Sequence, residues 1–166
     1  NASWKSFVRG QIYAELGDID TATENFLAVS PDFMNINDYM YLMSFYTHHG
    51  MPENAEQLKA DFTARPGGMF MADFDNVPDW SVYSGYKNQL AFSLVQNVSH
   101  TSIMMHSDLA MLLLRFAEIT APEFAASNNA VDYYLGNYFF YNQGDFEKHF
   151  NKINKDRAHS NHFLSS

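Results

Sequence analysis

Residues 10–31 read GQIYAELGDIDTATENFLAVSP, and their order of helix formers and helix breakers predicts two helices joined by a tight turn. Gly17 ends the first helix, because glycine readily adopts the left-handed backbone that follows many helix C-termini. Asp18 or Asp20 then caps the second helix with its carboxylate. Pro31 ends that helix, since the residue before a proline avoids the α region. The stretch therefore predicts one helical hairpin.

The spacing of this hairpin recurs further along the chain. Gly17 and Ala22 are repeated by Gly50 and Ala55, both at an offset of 33 residues. Two helices per unit with a period near ~34 residues are typical of α-helical solenoids, in which neighbouring hairpins stack to bury their apolar faces. We therefore predict an all-α fold, a right-handed superhelix of about four helical hairpins.

Four units and one inserted apolar loop account for most of the chain, as a single domain over residues 3–156 followed by an irregular tail at 157–166. Prolines and glycines preclude a long helix in the insertion, but its apolar side chains favour packing on the solenoid. The third unit is predicted to pair helices 83–98 and 103–119. The second of these is apolar almost all round and is expected to be the most buried. The units cover residues 3–31, 36–66, 82–122 and 127–156, and the insertion covers 66–81.

A more specific pattern lies within the first unit. Gly10 is followed by Tyr13 three residues later and by Gly17 seven residues later; Ala22 and Phe26 then follow at steps of five and four. This pattern resembles the tetratricopeptide repeat family. Later units keep parts of it: Tyr46, Gly50, Ala55, Ala110, Leu114, Ala117, Leu135, Gly136, Phe139 and Gly144. The resemblance implies a bacterial scaffold that needs no cofactor and binds a peptide or partner protein on its concave face.

The family spacing also indicates which side chains line that concave groove. They are aromatic, amide and hydroxyl groups, nearly free of charge, and such a surface suits an extended peptide. The alternative is that many of them pack against a neighbouring helix. The groove residues are Gln11, Met40, Ser44, Thr47, Asn88, Phe92, Tyr133, Asn137 and Phe140, with Phe7 beside them.

Composition excludes several classes of protein. The 166 residues carry a net charge of −9, which argues against a nucleic-acid partner. The chain has no cysteine, so a disulfide framework, a thiolate zinc site and a cysteine nucleophile are excluded. No apolar run approaches the ~18 residues of a membrane-spanning helix. Frequent Asn and Tyr with scarce Lys lean weakly towards an extracytoplasmic, periplasmic location.

Metal binding is not expected either. His48 and His49 are adjacent, so on a helix their side chains diverge by ~100° and cannot chelate one ion together. Asp73, Asp75 and Asp79 lack the central glycine and late glutamate of a calcium-binding EF-hand loop.

The sequence thus predicts a non-enzymatic scaffold that binds a protein or peptide, and two alternatives stay open. Asp79, Trp80 and Glu118 could belong to a carbohydrate-binding subunit or to a fragment of an α-toroid glycosidase, since acids flank aromatics in such sites. The chain could instead be a purely structural piece of a solenoid that self-associates through its repeat ends.

Overall fold

The computed structural model describes residues 2–65, 77–100 and 108–127. Within these ranges there are seven α-helices and no strand, which confirms the all-α prediction. No helix there is long and apolar enough to cross a membrane. The helices are α1 (Ala2–Glu15), α2 (Ile19–Leu27), α3 (Ile36–His48), α4 (Pro52–Thr63), α5 (Tyr86–His100), α6 (Asp108–Thr120) and α7 (Pro122–Ser127), with 3-10 turns at Pro31–Phe33 and Trp80–Val82.

The chain divides into two compact units, one over Asn1–Gln89 and one over Leu90–Ser166. The sequence predicted a single domain over residues 3–156. In the first unit α1 packs on α2, and α3 packs on α4. In the second unit α6 packs on α7. The predicted fourth hairpin, the tail and most of the insertion lie outside the described residues.

Local capping chemistry sets the turn between α1 and α2 where the sequence predicted it, but α2 ends at Leu27, before the predicted stop at Pro31. Gly17 has φ +78, and the Asp18 carboxylate accepts a hydrogen bond from the Thr21 backbone N–H at 3.2 Å. Asn35 and Asp38 form a reciprocal capping box at the start of α3. These contacts satisfy backbone donors that the first turn of a helix would otherwise leave unpaired.

The core of the first hairpin depends on a glycine opposite an aromatic ring. A Cβ atom on Gly10 would lie 2.3 Å from Cε1 of Phe26, so only glycine fits there. Phe26 is 1 % exposed, and its ring also packs against the rings of Phe7 and Phe45. The small residue of the repeat pattern therefore lets α1 and α2 approach closely.

The third predicted hairpin differs from the structure in its first helix. That helix was predicted over 83–98, but α5 runs from Tyr86 to His100. Gly85 has φ +86, which is incompatible with an α-helix, so the chain before it forms a 3-10 turn instead.

The burial predicted for the next helix is wrong. The second helix was expected to be the most buried, but α6 buries only Ala110, Leu114 and Ala117. An all-apolar helix needs cover on both sides. The side opposite these three residues is exposed to solvent.

Candidate interaction surfaces

A polar network joins α1 to the start of α5 in the first unit. Gln11 donates its amide N–H to the side-chain oxygen of Gln89 at 3.2 Å. Gln89 in turn donates to the Tyr41 hydroxyl at 3.0 Å and to the Glu15 carboxylate at 3.3 Å. The same carboxylate accepts the backbone N–H of Gly85 at 3.0 Å. Glu15 therefore places a negative charge at the N-terminal end of α5, where the helix dipole favours one.

Tyr41 is the centre of the aromatic core beneath this network. Its ring centroid lies 5.4 Å from Phe7, 5.9 Å from Phe26, and 5.2 Å from both Trp80 and Tyr83. Edge-on and tilted ring pairs at such separations add stability to that gained from burying their apolar area. Tyr41 thereby connects the first hairpin, α3 and the 3-10 turn.

The apolar insertion was predicted to pack on the solenoid, and its described end contacts α3. Trp80 is 8 % exposed, and its ring lies 5.4 Å from that of Phe45. The Asp79 carboxylate accepts the Ser81 backbone N–H at 2.9 Å and so caps the turn that carries Trp80. That hydrogen bonding lowers the pKa of Asp79.

His49 lies at the C-terminal end of α3 beside the same turn. Its ring centroid is 4.6 Å from that of Phe45 and 6.0 Å from that of Trp80. Burial lowers the pKa of His49, and the neighbouring His48 lowers it further. The neutral imidazole is therefore the form that this contact favours.

The pKa values of the buried tyrosines shift in the opposite direction, upwards. Burial raises the pKa of Tyr46 to about 12, and it also raises the pKa of Tyr41 and of Tyr83. Their phenols stay protonated across the physiological range, so they act here as neutral packing and hydrogen-bonding groups.

Most of the described groove positions pack inside the protein. Phe7 and Phe92 have no exposed area, and Ser44 is 1 % exposed. Gln11 is 6 % exposed and bonds Gln89. Phe92 packs edge-on against Phe124 in the second unit, with ring centroids 6.3 Å apart.

The other groove positions are more accessible, but one of them already has partners. Thr47 is exposed and Met40 is half-buried. Asn88 is also half-buried, and its amide donates to the backbone carbonyls of Ser81 and Ser84, both at 3.0 Å. Tyr133, Asn137 and Phe140 lie outside the described residues, so their assignment to the groove stays a prediction.

An apolar surface that the sequence did not predict lies on α6. Leu109, Leu112, Phe116 and Ile119 follow one another at steps of three, four and three residues, so they share one side of the helix. They are 53 %, 47 %, 50 % and 75 % exposed, respectively. We call these four residues the α6 face. Large apolar side chains contiguous on a surface commonly mark an interaction site.

Neither a metal site in the described residues nor similarity to a known protein indicates the function of this chain. Over the three described ranges, no three His, Asp or Glu side chains are placed to hold a metal ion. Comparison with known protein families, with curated proteins and with solved structures finds no significant match to this chain. A function must therefore be inferred from the surfaces themselves.

Proposed function

We propose that this chain is a helical scaffold that binds a partner protein or peptide through an exposed apolar helix surface. The observation that carries the proposal is the α6 face, whose four large side chains are each about half exposed or more. Burying the exposed half of one such side chain contributes about 1 kcal/mol. A partner helix or strand that covered all four would gain about 4 kcal/mol from them, and contacts around the α6 face would add to this.

The two helix–helix turns of the first unit support the scaffold proposal. Backbone hydrogen bonds at the two helix–helix turns recur at the 33-residue offset of the sequence pattern. Asp18 N–H donates to the Tyr13 carbonyl, as Met51 N–H donates to the Tyr46 carbonyl. Gly17 and Gly50 both have positive φ, and Ala22 and Ala55 are both buried. We propose on this basis that α1–α2 and α3–α4 are degenerate tetratricopeptide-like units of a solenoid.

The binding surface in this proposal is the α6 face and not the predicted groove, because Thr47 alone among the described groove residues is exposed. Among the described residues, no observation supports the carbohydrate alternative. Its key aromatic, Trp80, is packed among Tyr41 and Phe45, so its ring face is not offered to a sugar. Glu118 forms an ion pair with Arg115.

Capture of partners from a lysate of the source organism tests the proposal. The parent chain and the double variant Leu112→Ser, Phe116→Ser would be immobilised in parallel, and bound proteins identified by mass spectrometry. Leu27→Ser is the matched control, since Leu27 is 60 % exposed on α2, a helix of the first unit. We expect proteins that the parent and the control retain and the double variant loses. Equal recovery by all three chains would contradict the assignment to the α6 face.

A further inference from the structure

A second exposed surface lies along α1. Lys5, Arg9 and Ile12 follow one another along α1 at steps of four and three residues, and Leu16, directly after the end of the helix, donates its backbone N–H to the Ile12 carbonyl and continues the stripe. All four are exposed, Ile12 at 53 % and Leu16 at 74 %. We call them the α1 face. It is basic towards the start of the helix and apolar towards its end.

The start of α5 adds an aromatic residue beside this face. Gln11 contacts Gln89 while Glu15, further along α1, contacts Gly85, so the two helices run antiparallel where they meet. When two helices run antiparallel, the residue that follows a contact residue on either helix is rotated to the same side of the contact. Tyr86 therefore lies on the side of the α1 face, and it is 75 % exposed.

The charge of the α1 face contrasts with that of the unit around it. Residues 1–89 contain 12 acidic and five basic side chains. Of the five, Arg65 donates to two backbone carbonyls and Lys59 also has a partner. Lys5, Arg9 and Lys87 are exposed and make no hydrogen bond or ion pair with the rest of the described chain. Among the described residues, the positive charge that has no partner in this acidic unit thus lies beside the exposed apolar side chains Ile12, Leu16 and Tyr86.

We propose that the α1 face binds an acidic amphipathic helix of a partner protein. Such a helix would place apolar side chains on Ile12, Leu16 and Tyr86 and carboxylates beside Lys5 and Arg9. The stripe from residue 5 to residue 16 spans about 16 Å at the helical rise, so a partner helix of about three turns covers it. This inference rests on the proposed function, but it assigns a second surface and the chemistry of its partner.

Fluorescence anisotropy with designed peptides tests this inference on the full chain. The probe is a labelled helical peptide of about 15 residues with leucines along one side and glutamates flanking them. A matched peptide carries lysine in place of every glutamate. We expect the acidic peptide to bind and the lysine peptide not to bind. We also expect affinity for the acidic peptide to fall in about 0.5 M salt, because the charge pairs are exposed.

Two variants separate charge from apolar contact. Lys5→Gln with Arg9→Gln should lower the affinity for the acidic peptide about tenfold, since two exposed ion pairs are lost. Leu16→Ser should weaken it through lost apolar contact. Ala60→Glu with Ala126→Glu is the control: both positions are exposed, and the pair changes the net charge by the same amount as the lysine and arginine replacements. It should leave the affinity unchanged.

Three results would overturn the inference. They are no binding of the acidic peptide up to about 1 mM, equal binding of the acidic and lysine peptides, and equal weakening by the Ala60/Ala126 control. Vesicles of phosphatidylserine and phosphatidylcholine form a further arm. Binding to these that depends on Lys5 and Arg9, without peptide binding, would replace the protein partner with an anionic membrane. In each case capture through the α6 face would still stand or fall by its own variants.

Discussion

Replacing Gly10 by alanine tests the packing on which the first hairpin depends. The added Cβ would lie 2.3 Å from Cε1 and 2.4 Å from Cδ1 of Phe26, about 1 Å short of ordinary contact. Phe26 cannot move aside easily, because it is 1 % exposed and its ring centroid lies only 4.9 Å from that of Phe45. Overpacking of this kind costs about 1–3 kcal/mol, while alanine gains roughly 0.8–1.0 kcal/mol over glycine in a helix. The difference is a net loss of about 0–2 kcal/mol in the free energy of unfolding, and the size of the overlap favours the upper end of that range.

Urea unfolding followed by tryptophan fluorescence measures this loss. The chain has two tryptophans, Trp4 and Trp80, and both lie in the first unit, so the signal reports on that unit. Phe26→Leu supplies the control, because a smaller side chain leaves room for the new methyl group. The double variant Gly10→Ala, Phe26→Leu should lose about 1 kcal/mol less in the free energy of unfolding than the sum of the two single losses. A Gly10→Ala protein that is more stable than the parent, with additive effects in the double variant, would refute the close approach of α1 and α2.

Further predictions concern the same unit. Trp80→Ala should lower the free energy of unfolding by about 3–5 kcal/mol in the same urea assay, because the ring is buried against α3. Gly17→Ala and Gly50→Ala should each cost about 1 kcal/mol there, since both residues have positive φ; unequal costs would argue against equivalent turns. The pKa of His49 is lowered in the folded state, so the unfolded state binds more protons below about pH 6.5. Stability should therefore fall as the pH decreases, and urea midpoints measured from about pH 7.5 to pH 5 should show this fall. The fall should be smaller in His49→Gln. The pKa of Tyr46 is raised to about 12, so stability should fall above about pH 10 as the unfolded phenol ionises first, and Tyr46→Phe should reduce that fall in alkaline unfolding curves.

The features that the sequence predicted correctly are those fixed by residues close together in the chain. Asp18 caps α2 because its carboxylate reaches a backbone N–H only three residues further along the chain. Gly17 and Gly50 end their helices because the left-handed conformation is a property of the residue itself. Such signals need no knowledge of the tertiary structure.

Contacts between distant segments could not be predicted in the same way. Gln89 is 78 residues from Gln11 and 48 from Tyr41, and no local pattern marks the three as partners. Tyr41 was therefore missed as the centre of the core, although its spacing of four residues from the buried Phe45 places both on one side of α3.

The exposed surfaces were missed for a related reason. Periodicity showed that the helix containing Leu112 and Phe116 is apolar, but periodicity does not say whether another element covers each side. The α1 face was missed because Lys5 and Arg9 give no signal until the structure shows that no described residue pairs with them. What a helix surface does is thus decided by its neighbours and not by its own sequence.

Hydroxyl-radical footprinting shows whether a bound partner covers the α6 face. Oxidation of Leu109, Leu112, Phe116 and Ile119 would be measured by mass spectrometry for the chain alone and for the chain bound to the partner fraction that it captures. We expect oxidation of these side chains to fall in the complex while that of Leu27, on α2, stays the same. Equal oxidation of the α6 face in the free and bound chain would contradict the claim that this surface binds the partner.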